Sequence, residues 1–329
     1  MNINDVAREA GVSKTTVSRV LLGGNKVKPD TKEKVLETIR RLNYRPNTSA
    51  QMLAKKHNRV LGVISTLPIS DPFYAYMHDQ IAQECEKRNY GTLYVTRGKN
   101  ENGCENEIAL LYGKVDGYII TGNHHITSEN IELITGMNMP VALFKTGFVK
   151  EGAITVDIDN VKSGELAAKY FFEKGYRKIG YLHGGTEDSV FSEGRERYKG
   201  FMQEMDRLGI PLMAQFYGGE SYRVAGTLAG QIYDSGIDAL FCETDIMAYG
   251  VISALLENNI KVPEQIAVLG FDDIKFRNFE TMIHLSTVSQ PVDKMAVRMV
   301  GALIDRIENG IDYEKIRLFE TKIVEGRTT

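Results

Sequence analysis

A joint of three residues, Gly11-Val12-Ser13, sets the strictest limit on how this chain can begin to fold. Apolar residues repeat at helical spacing on both sides of it: Ile3, Val6, Ala7 and Ala10 before, Val17, Val20 and Leu21 after. So tight a joint admits only two short helices crossing steeply. Asn2 with Asp5 three positions on forms a capping pair, Gly11 supplies permissive backbone, and Ser13 can cap the second helix. With its apolar seam turned to the first helix, the second leaves Lys14, Thr15, Thr16, Ser18 and Arg19 facing outward. A helix presenting such donors N-terminal end first suits a major groove, where Thr and Ser reach base edges and Lys and Arg meet phosphate or guanine. A third pattern starts at Pro29, Asp30 and Glu33, read as a capping box, repeats Val35, Ile39 and Leu42, and stops at Tyr44-Arg45-Pro46. Spacing alone also fits a three-helix cap without a partner.

Charge distinguishes the two readings. Residues 1–59 hold 13 Lys and Arg against 5 acids, a net of +8. Of the chain's 40 basic and 43 acidic side chains that leaves 27 and 38, a net of −11, for residues 60–329. A basic head on an acidic body points to polyanion binding by the head alone.

The remaining composition excludes several classes. No apolar run approaches a membrane span and the amino terminus carries no signal pattern, so a cytoplasmic protein is expected. Cys85, Cys104 and Cys242 are odd in number and lack ligand spacing, which argues against a disulfide framework or a zinc site. With 329 residues the chain can bury more than one core, and a small head on a two-lobed body suits that length. Residues 47–58 connect them as a short hinge helix, too short to be stable unless docked. Within it, Met52 and Leu53 either pack on the body or Leu53 enters a minor groove as a wedge, with Ala50 permitting close approach of a second copy.

From Arg59 onward short apolar strands alternate with amphipathic helices, the mark of an α/β fold with parallel sheets. Strands are expected over 60–65, 91–96, 117–121 and 141–144, with helices over 74–88, 106–112 and 128–135 between them. A second set follows: helices over 162–174, 193–208, 225–235 and 246–258, and strands over 178–183, 213–217, 239–242 and 266–271. A long helix over 292–307 and one terminal strand over 318–323 suggest that the chain returns to the first lobe. The first lobe is then about 59–158 and 290–316, and the second about 159–289 and 317–329. Ligands in such folds bind at the carboxyl ends of the strands, here across a cleft.

Polar residues past strand ends are the cleft candidates, Asp71 with Phe73 and Tyr74, Asp245 and Asp272, together with Arg197 from a helix that otherwise reads as cover. An Arg with carboxylates facing hydroxyls is sugar-binding chemistry, because each charged group takes two directional bonds from a vicinal diol. Each has a plainer reading: Asp71 and Asp245 can cap helices, Asp273 can turn its loop, and Arg197 can pair with Glu193 or Glu196 on a solvated face. Dinucleotide, phosphate-loop and zinc-protease motifs are absent, and Gly184-Gly185 reads as a turn. None of the six histidines has ligand spacing, though His124 and His125 at a strand end could touch a ligand. No cofactor, metal or enzyme activity is expected.

The chain resembles the lactose and galactose repressor family of bacterial transcription regulators. The resemblance is carried by I-N-D-V-A-R-E-A-G-V-S-K-T-T-V-S-R-V-L and V-K-P-D-T-K-E-K-V-L-E-T-I-R-R-L-N-Y-R-P-N in the head. Further on it is carried by D-P-F-Y-A at 71, V-D-I-D-N at 156, G-Y-R-K-I-G-Y at 175, R-Y-K-G-F at 197, V-P-E-Q-I-A-V-L-G-F-D-D at 262 and T-V-S-Q-P at 287. It implies a helix-turn-helix head (1–46), a hinge helix (47–58) and a two-lobed body like periplasmic sugar-binding proteins (59–329). It further implies a homodimer on a near-palindromic operator, with Asn25, Tyr44, Asn47, Ala50 and Leu53 joining the recognition helix in DNA contact. The implied function is repression of carbohydrate-utilisation genes under a small sugar-like effector. By motif position its contacts fall on Phe73, Tyr74, Arg197, Asp245 and Asp272, with Gln290 near the lobe crossing and Tyr222 near the cleft aromatic of some members. The chain departs from the family at Thr244, where Asn is common, at Met282-Ile283-His284-Leu285, where Pro-Pro precedes the Leu, and at Ser221-Tyr222. Ending at Thr329 without a heptad tail implies a dimer. The alternative is a catabolite-control-type regulator governed by a phosphorylated protein partner, with Arg298 mattering more than the cleft.

Overall fold

The structure, a computed structural model, describes residues 2–21, 27–44, 57–65, 67, 70–96, 104–122, 128–147, 151–185, 192–274, 283–313 and 316–329. Contacts divide the chain into two units, Met1–Asn58 and Arg59–Thr329.

In the first unit the capping pair forms as a reciprocal box. Asn2 Oδ1 accepts from the Asn4 and Asp5 amides at 2.8 and 3.3 Å, and Asp5 Oδ2 accepts from the Asn2 amide at 2.9 Å. This starts α1 (Ile3–Ala10), which ends at Gly11 in the left-handed conformation, φ 64°. Ser13 Oγ then accepts the Thr16 amide at 3.1 Å and starts α2 (Lys14–Leu21). Val6, Ala10, Val17 and Val35 are fully buried where α1, α2 and α3 (Pro29–Arg41) meet. Each of the three buried valines contributes about 1.5–3 kcal/mol, which is what holds so small a unit together. Arg41 on α3 pairs with Glu9 on α1 at 2.9 Å. One expectation fails: α3 has no capping box, since Lys28 is its N-cap without a side-chain bond and Pro29 occupies the first turn. Proline there needs no amide partner, so the helix starts on backbone geometry alone.

The second unit opens with β1 (Val60–Ser65), α4 (Pro72–Lys87), β2 (Gly91–Thr96), α5 (Glu105–Leu111), β3 (Gly117–Thr121), α6 (Ser128–Gly136), β4 (Val141–Phe144) and β5 (Ala153–Ile158). It continues through α7 (Asn160–Lys174), β6 (Ile179–His183), α8 (Ser192–Leu208), β7 (Leu212–Tyr217), α9 (Tyr222–Thr227), α10 (Ala229–Asp234), β8 (Ala239–Cys242), α11 (Asp245–Glu257), β9 (Ala267–Asp272) and β10 (Ser286–Ser289). Then follow α12 (Val292–Asn309), β11 (Ile316–Phe319) and β12 (Lys322–Val324). Two six-stranded sheets result, ordered β11-β5-β4-β3-β1-β2 and β12-β10-β9-β8-β6-β7. Every pairing is parallel except β10 with β12. Such sheets need helices on both faces, and β1, β3 and β4 are buried almost throughout.

The structure corrects the sequence reading in four places. β5 and β10 were not anticipated, because Thr155, Asp157 and the Ser-Thr-Val-Ser of β10 break the apolar signal while both strands are entirely buried. The helix expected over 225–235 is two helices meeting at Leu228. The single strand expected over 318–323 is two strands: β11 pairs with β5 in the first sheet and β12 with β10 in the second. The chain therefore passes between the lobes at Asp159, at Gln290-Pro291 and at Glu320-Thr321, the last a few residues beyond the expected boundary at 316/317.

Candidate effector cleft and DNA-facing helix

A cavity of about 80 Å³ lies where the carboxyl ends of the two sheets face each other. The first lobe supplies Asp71, Phe73, Tyr74 and Lys145; the second supplies Glu193, Arg197, Glu220, Glu243, Thr244 and Asp272. Asp71 caps α4, its Oδ1 accepting the Phe73 and Tyr74 amides at 2.9 and 3.1 Å. That bond turns the two rings into the wall, edge to face with centroids 5.4 Å apart. Burial still raises the Asp71 carboxyl above its ordinary value, the two amides opposing it.

Arg197 is placed by a close helix crossing. Gly164 on α7 lies so near the backbone of Arg197 and Phe201, and Gly200 on α8 so near Val161, that no side chain fits at either glycine. The crossing leaves Arg197 5% exposed, donating from Nη1 to the Glu243 carbonyl at 2.8 Å and from Nη2 to Asn160 Oδ1 at 3.0 Å. Its guanidinium lies 3.4 Å over the Phe271 ring. The solvated pairing with Glu193 or Glu196 considered from sequence is not the arrangement found.

Asp272 ends β9 with φ 119°, a conformation rare outside glycine. Its Oδ1 accepts from Gln290 Nε2 at 2.7 Å, and Gln290 Oε1 accepts from Lys145 Nζ at 2.7 Å. Lys145 is 3% exposed, lies 5.4 Å from the Phe73 centroid and 3.8 Å from Glu193 Oε1. This chain of bonds joins β4, the Gln290 crossing and β9 across the lobes. Burial pushes the Asp272 carboxyl well up, with Asp245 adding and Lys145 and Arg197 opposing.

Some expected residues stand outside the cavity wall. Asp245 is 2% exposed, its Oδ1 accepting from Thr287 Oγ1 at 2.6 Å and its Oδ2 from the Ile274 amide at 2.8 Å, so it braces the β9–β10 corner. Its helix is capped instead by Thr244, whose hydroxyl accepts the Met247 amide at 3.3 Å. Thr244 thereby fills a structural role at the position where the family commonly has Asn. Tyr222 opens α9, half exposed and away from the wall. Gln290 acts through Lys145 and Asp272. Sequence reasoning missed Lys145 and Glu243. Glu243 accepts from Tyr181 Oη at 2.8 Å and the Gly184 amide at 2.6 Å. Burial would raise its carboxyl, but His183, Arg197 and Gly184 outweigh it and hold the group below its ordinary value. Position was the available signal for Glu243, which follows a strand that is apolar throughout.

On α2, Lys14, Thr15 and Arg19 are exposed and Thr16 and Ser18 half-buried, with the Thr16 hydroxyl 2.9 Å from that of Ser13. Tyr44 packs partly buried on the head core. Asn25, Asn47, Ala50, Met52, Leu53 and the hinge helix, together with His124, His125 and Met282, lie outside the described residues. Cys85, Cys104 and Cys242 are buried and form no disulfide. Among the described residues no cluster could hold a metal, and no helix is long and apolar enough to cross a membrane.

A helix-turn-helix unit joined to a two-lobed body with a polar cavity between its sheets defines a DNA-binding regulator with an effector-binding domain. The model of the lacI family of bacterial regulatory proteins matches residues 2–47, and that of periplasmic binding protein-like domains matches residues 168–329. The HTH-type transcriptional repressor PurR of Haemophilus influenzae is 30% identical over 313 residues, covering 93% of this chain and 90% of that protein. The HTH-type transcriptional regulator RegA of Clostridium saccharobutylicum is 31% identical over 340 residues, covering 100% and 99%. Among solved structures, the lac repressor dimer bound to operator and the anti-inducer ONPF superposes with a TM-score of 0.85 at 24% identity, covering 100% of this chain and 98% of that one. The transcriptional regulator CelR–cellobiose complex gives 0.70 at 25% identity and full coverage of both. The chain belongs to the lacI family of bacterial regulatory proteins, and it is a transcription regulator, not an enzyme.

Proposed function

We propose that the chain is a cytoplasmic homodimeric repressor of carbohydrate-utilisation genes whose grip on operator DNA is set by a sugar-like effector in the inter-lobe cavity. The observation that carries this is Arg197, buried beside aromatic walls and carboxylates at the point where the two lobes face each other. The CelR–cellobiose complex supports a sugar as ligand class. Lys14, Thr15, Thr16, Ser18 and Arg19 read or position DNA, with Asn25, Tyr44 and Asn47 assisting. Leu53 kinks the central minor groove, so Leu53→Ala weakens specific binding far more than non-specific binding. Effector binding biases the angle between lobes, and an effector preferring one angle shifts operator affinity by its differential affinity for the two states. Titrating operator DNA with and without fractions of a cell's small-molecule pool tests this, and an operator affinity unmoved by every fraction would end the effector reading. The protein-partner alternative gains no support from Arg298, whose guanidinium lies 4.8 Å over the ring of Tyr313 in its own chain.

A further inference from the structure

We propose that the effector carries an ammonium group beside its hydroxyls, as an amino sugar does; this rests on the cavity being the effector site. Among the described residues the wall holds five carboxylates, Asp71, Glu193, Glu220, Glu243 and Asp272, against two cations, Lys145 and Arg197. Every one of those carboxylates has partners; the imbalance is one of charge. Both cations are already engaged: Arg197 with the Glu243 backbone carbonyl, Asn160 and the Phe271 face, Lys145 with Gln290 and Glu193. Without a cationic ligand that crowding of carboxylates is relieved only by protonation, as the raised Asp272 and Glu220 carboxyls show; an ammonium would let them ionise, and an anionic ligand would add to the repulsion.

The mutual field of these groups is visible in their neighbours. Burial pushes the Tyr74 hydroxyl well up, and Glu193, Glu220, Asp272 and Asp71 push it further. Glu220 is exposed at the rim, yet desolvation at its carboxyl together with Glu193, Glu243 and Asp71 pushes it up to about 7. The backbone makes room for these groups: a Cβ at Gly194 would come within 2.8 Å of Glu243 Oε2, and one at Gly184 within 3.1 Å of both Glu220 Cγ and Glu243 Oε2.

Two further observations give the ligand its shape. Lys145 already seats an ammonium over the Phe73 ring and beside Glu193, so this wall accommodates that group. Arg197 Nε, in a side chain 5% exposed that lines the cavity, is a buried donor without a hydrogen-bond partner. A buried donor calls for an acceptor oxygen, which a ligand hydroxyl supplies. Ammonium and hydroxyl on one small ring satisfy both demands.

The test compares matched pairs on the full chain at about pH 7, where a hexosamine is still mostly an ammonium ion and the Glu220 carboxyl is in part ionised: glucosamine with glucose, galactosamine with galactose, mannosamine with mannose. Thermal unfolding reads binding by mass action, and in at least one pair the amine should raise the Tm at about tenfold lower concentration than its neutral partner. Glu220→Gln, a change at the exposed rim, should shrink that advantage to under about threefold, and Glu243→Gln should do the same. Neutral hexoses binding as well as their amines in every pair would overturn the inference and leave the effector reading intact. No shift from any amine would also overturn it, and the operator titration would then decide separately whether the cavity answers to another small molecule.

Discussion

Arg197 holds two elements together and also presents a donor to the cavity, so its truncation has two consequences. Arg197→Ala removes bonds to the Glu243 carbonyl and Asn160 and the stack on Phe271, and leaves those partners buried. The expected loss is about 3 kcal/mol of unfolding free energy in urea, with loss of effector response. Arg197→Lys keeps the charge but cannot make both bonds, so it should recover part of the stability and little of the response. A variant as stable as the parent would show that the guanidinium is not structural. Asp245 makes a pH prediction. Burial pushes its carboxyl up to about 7, against the bonds from Thr287 and Ile274. Unfolded, an aspartate ionises near ~3.9, so between about 4 and 7 the folded state holds a proton that the unfolded state has lost. Stability from this group therefore falls as pH rises through that window, and Asp157, also pushed up to about 7 by burial, acts in the same direction. Asp245→Asn should flatten the dependence of urea stability on pH by about one proton's worth of slope. An unchanged slope would mean that Asp245 titrates normally.

The α7–α8 crossing is the element on which the cavity's geometry most depends. A methyl at Gly164 would strike the Arg197 carbonyl and Phe201 amide, so Gly164→Ala must separate the helices. The expected cost is about 2 kcal/mol, with weakened effector binding, because Arg197 rides on the displaced helix. Gly230→Ala is the control: it lies in α10 with nothing within 4 Å, and removing a helical glycine should stabilise by up to about 1 kcal/mol. Equal effects from both, by urea unfolding, would remove the crossing as the cause. These elements differ in how well the sequence announced them. The head was legible because capping, the Gly11 joint and the Val17 seam all point to one arrangement. The apolar strands of both sheets were legible for the same reason. β5 and β10 were hidden because Thr155, Asp157, Thr287 and Ser289 are polar yet buried, and the partners of the last two come only from the fold, Thr287 on Asp245 and Ser289 on Asp273. At the cavity, Asp272 could be picked out as a polar residue ending an apolar strand, and Arg197 only by the motif R-Y-K-G-F in an otherwise charged helix. Lys145 could not, since a lysine after a strand ordinarily reaches water, and only the fold brings Gln290, 145 positions away, to meet it.

Across the whole molecule the division of charge, +8 in residues 1–59 against −11 in the remainder, fixes how binding should respond to salt. DNA binding by the head releases counterions in proportion to the phosphates neutralised, whereas binding one small effector of at most a single charge involves few mobile ions. Raising salt from about 50 to about 200 mM should therefore cut operator affinity by roughly a thousandfold or more, with a log–log slope near −0.9 per phosphate contact. The slope also separates roles on α2 that exposure alone leaves together. Thr15 carries no charge, so Thr15→Ala should leave the slope unchanged while costing about 1–3 kcal/mol of discrimination at one base position. Lys14→Ala should reduce the slope by about one contact per subunit if it meets phosphate, and weaken all sequences alike. A Thr15→Ala variant that loses affinity equally on operator and random DNA would show that this face of α2 does not enter the groove. Another surface of the head would then have to carry the reading of sequence.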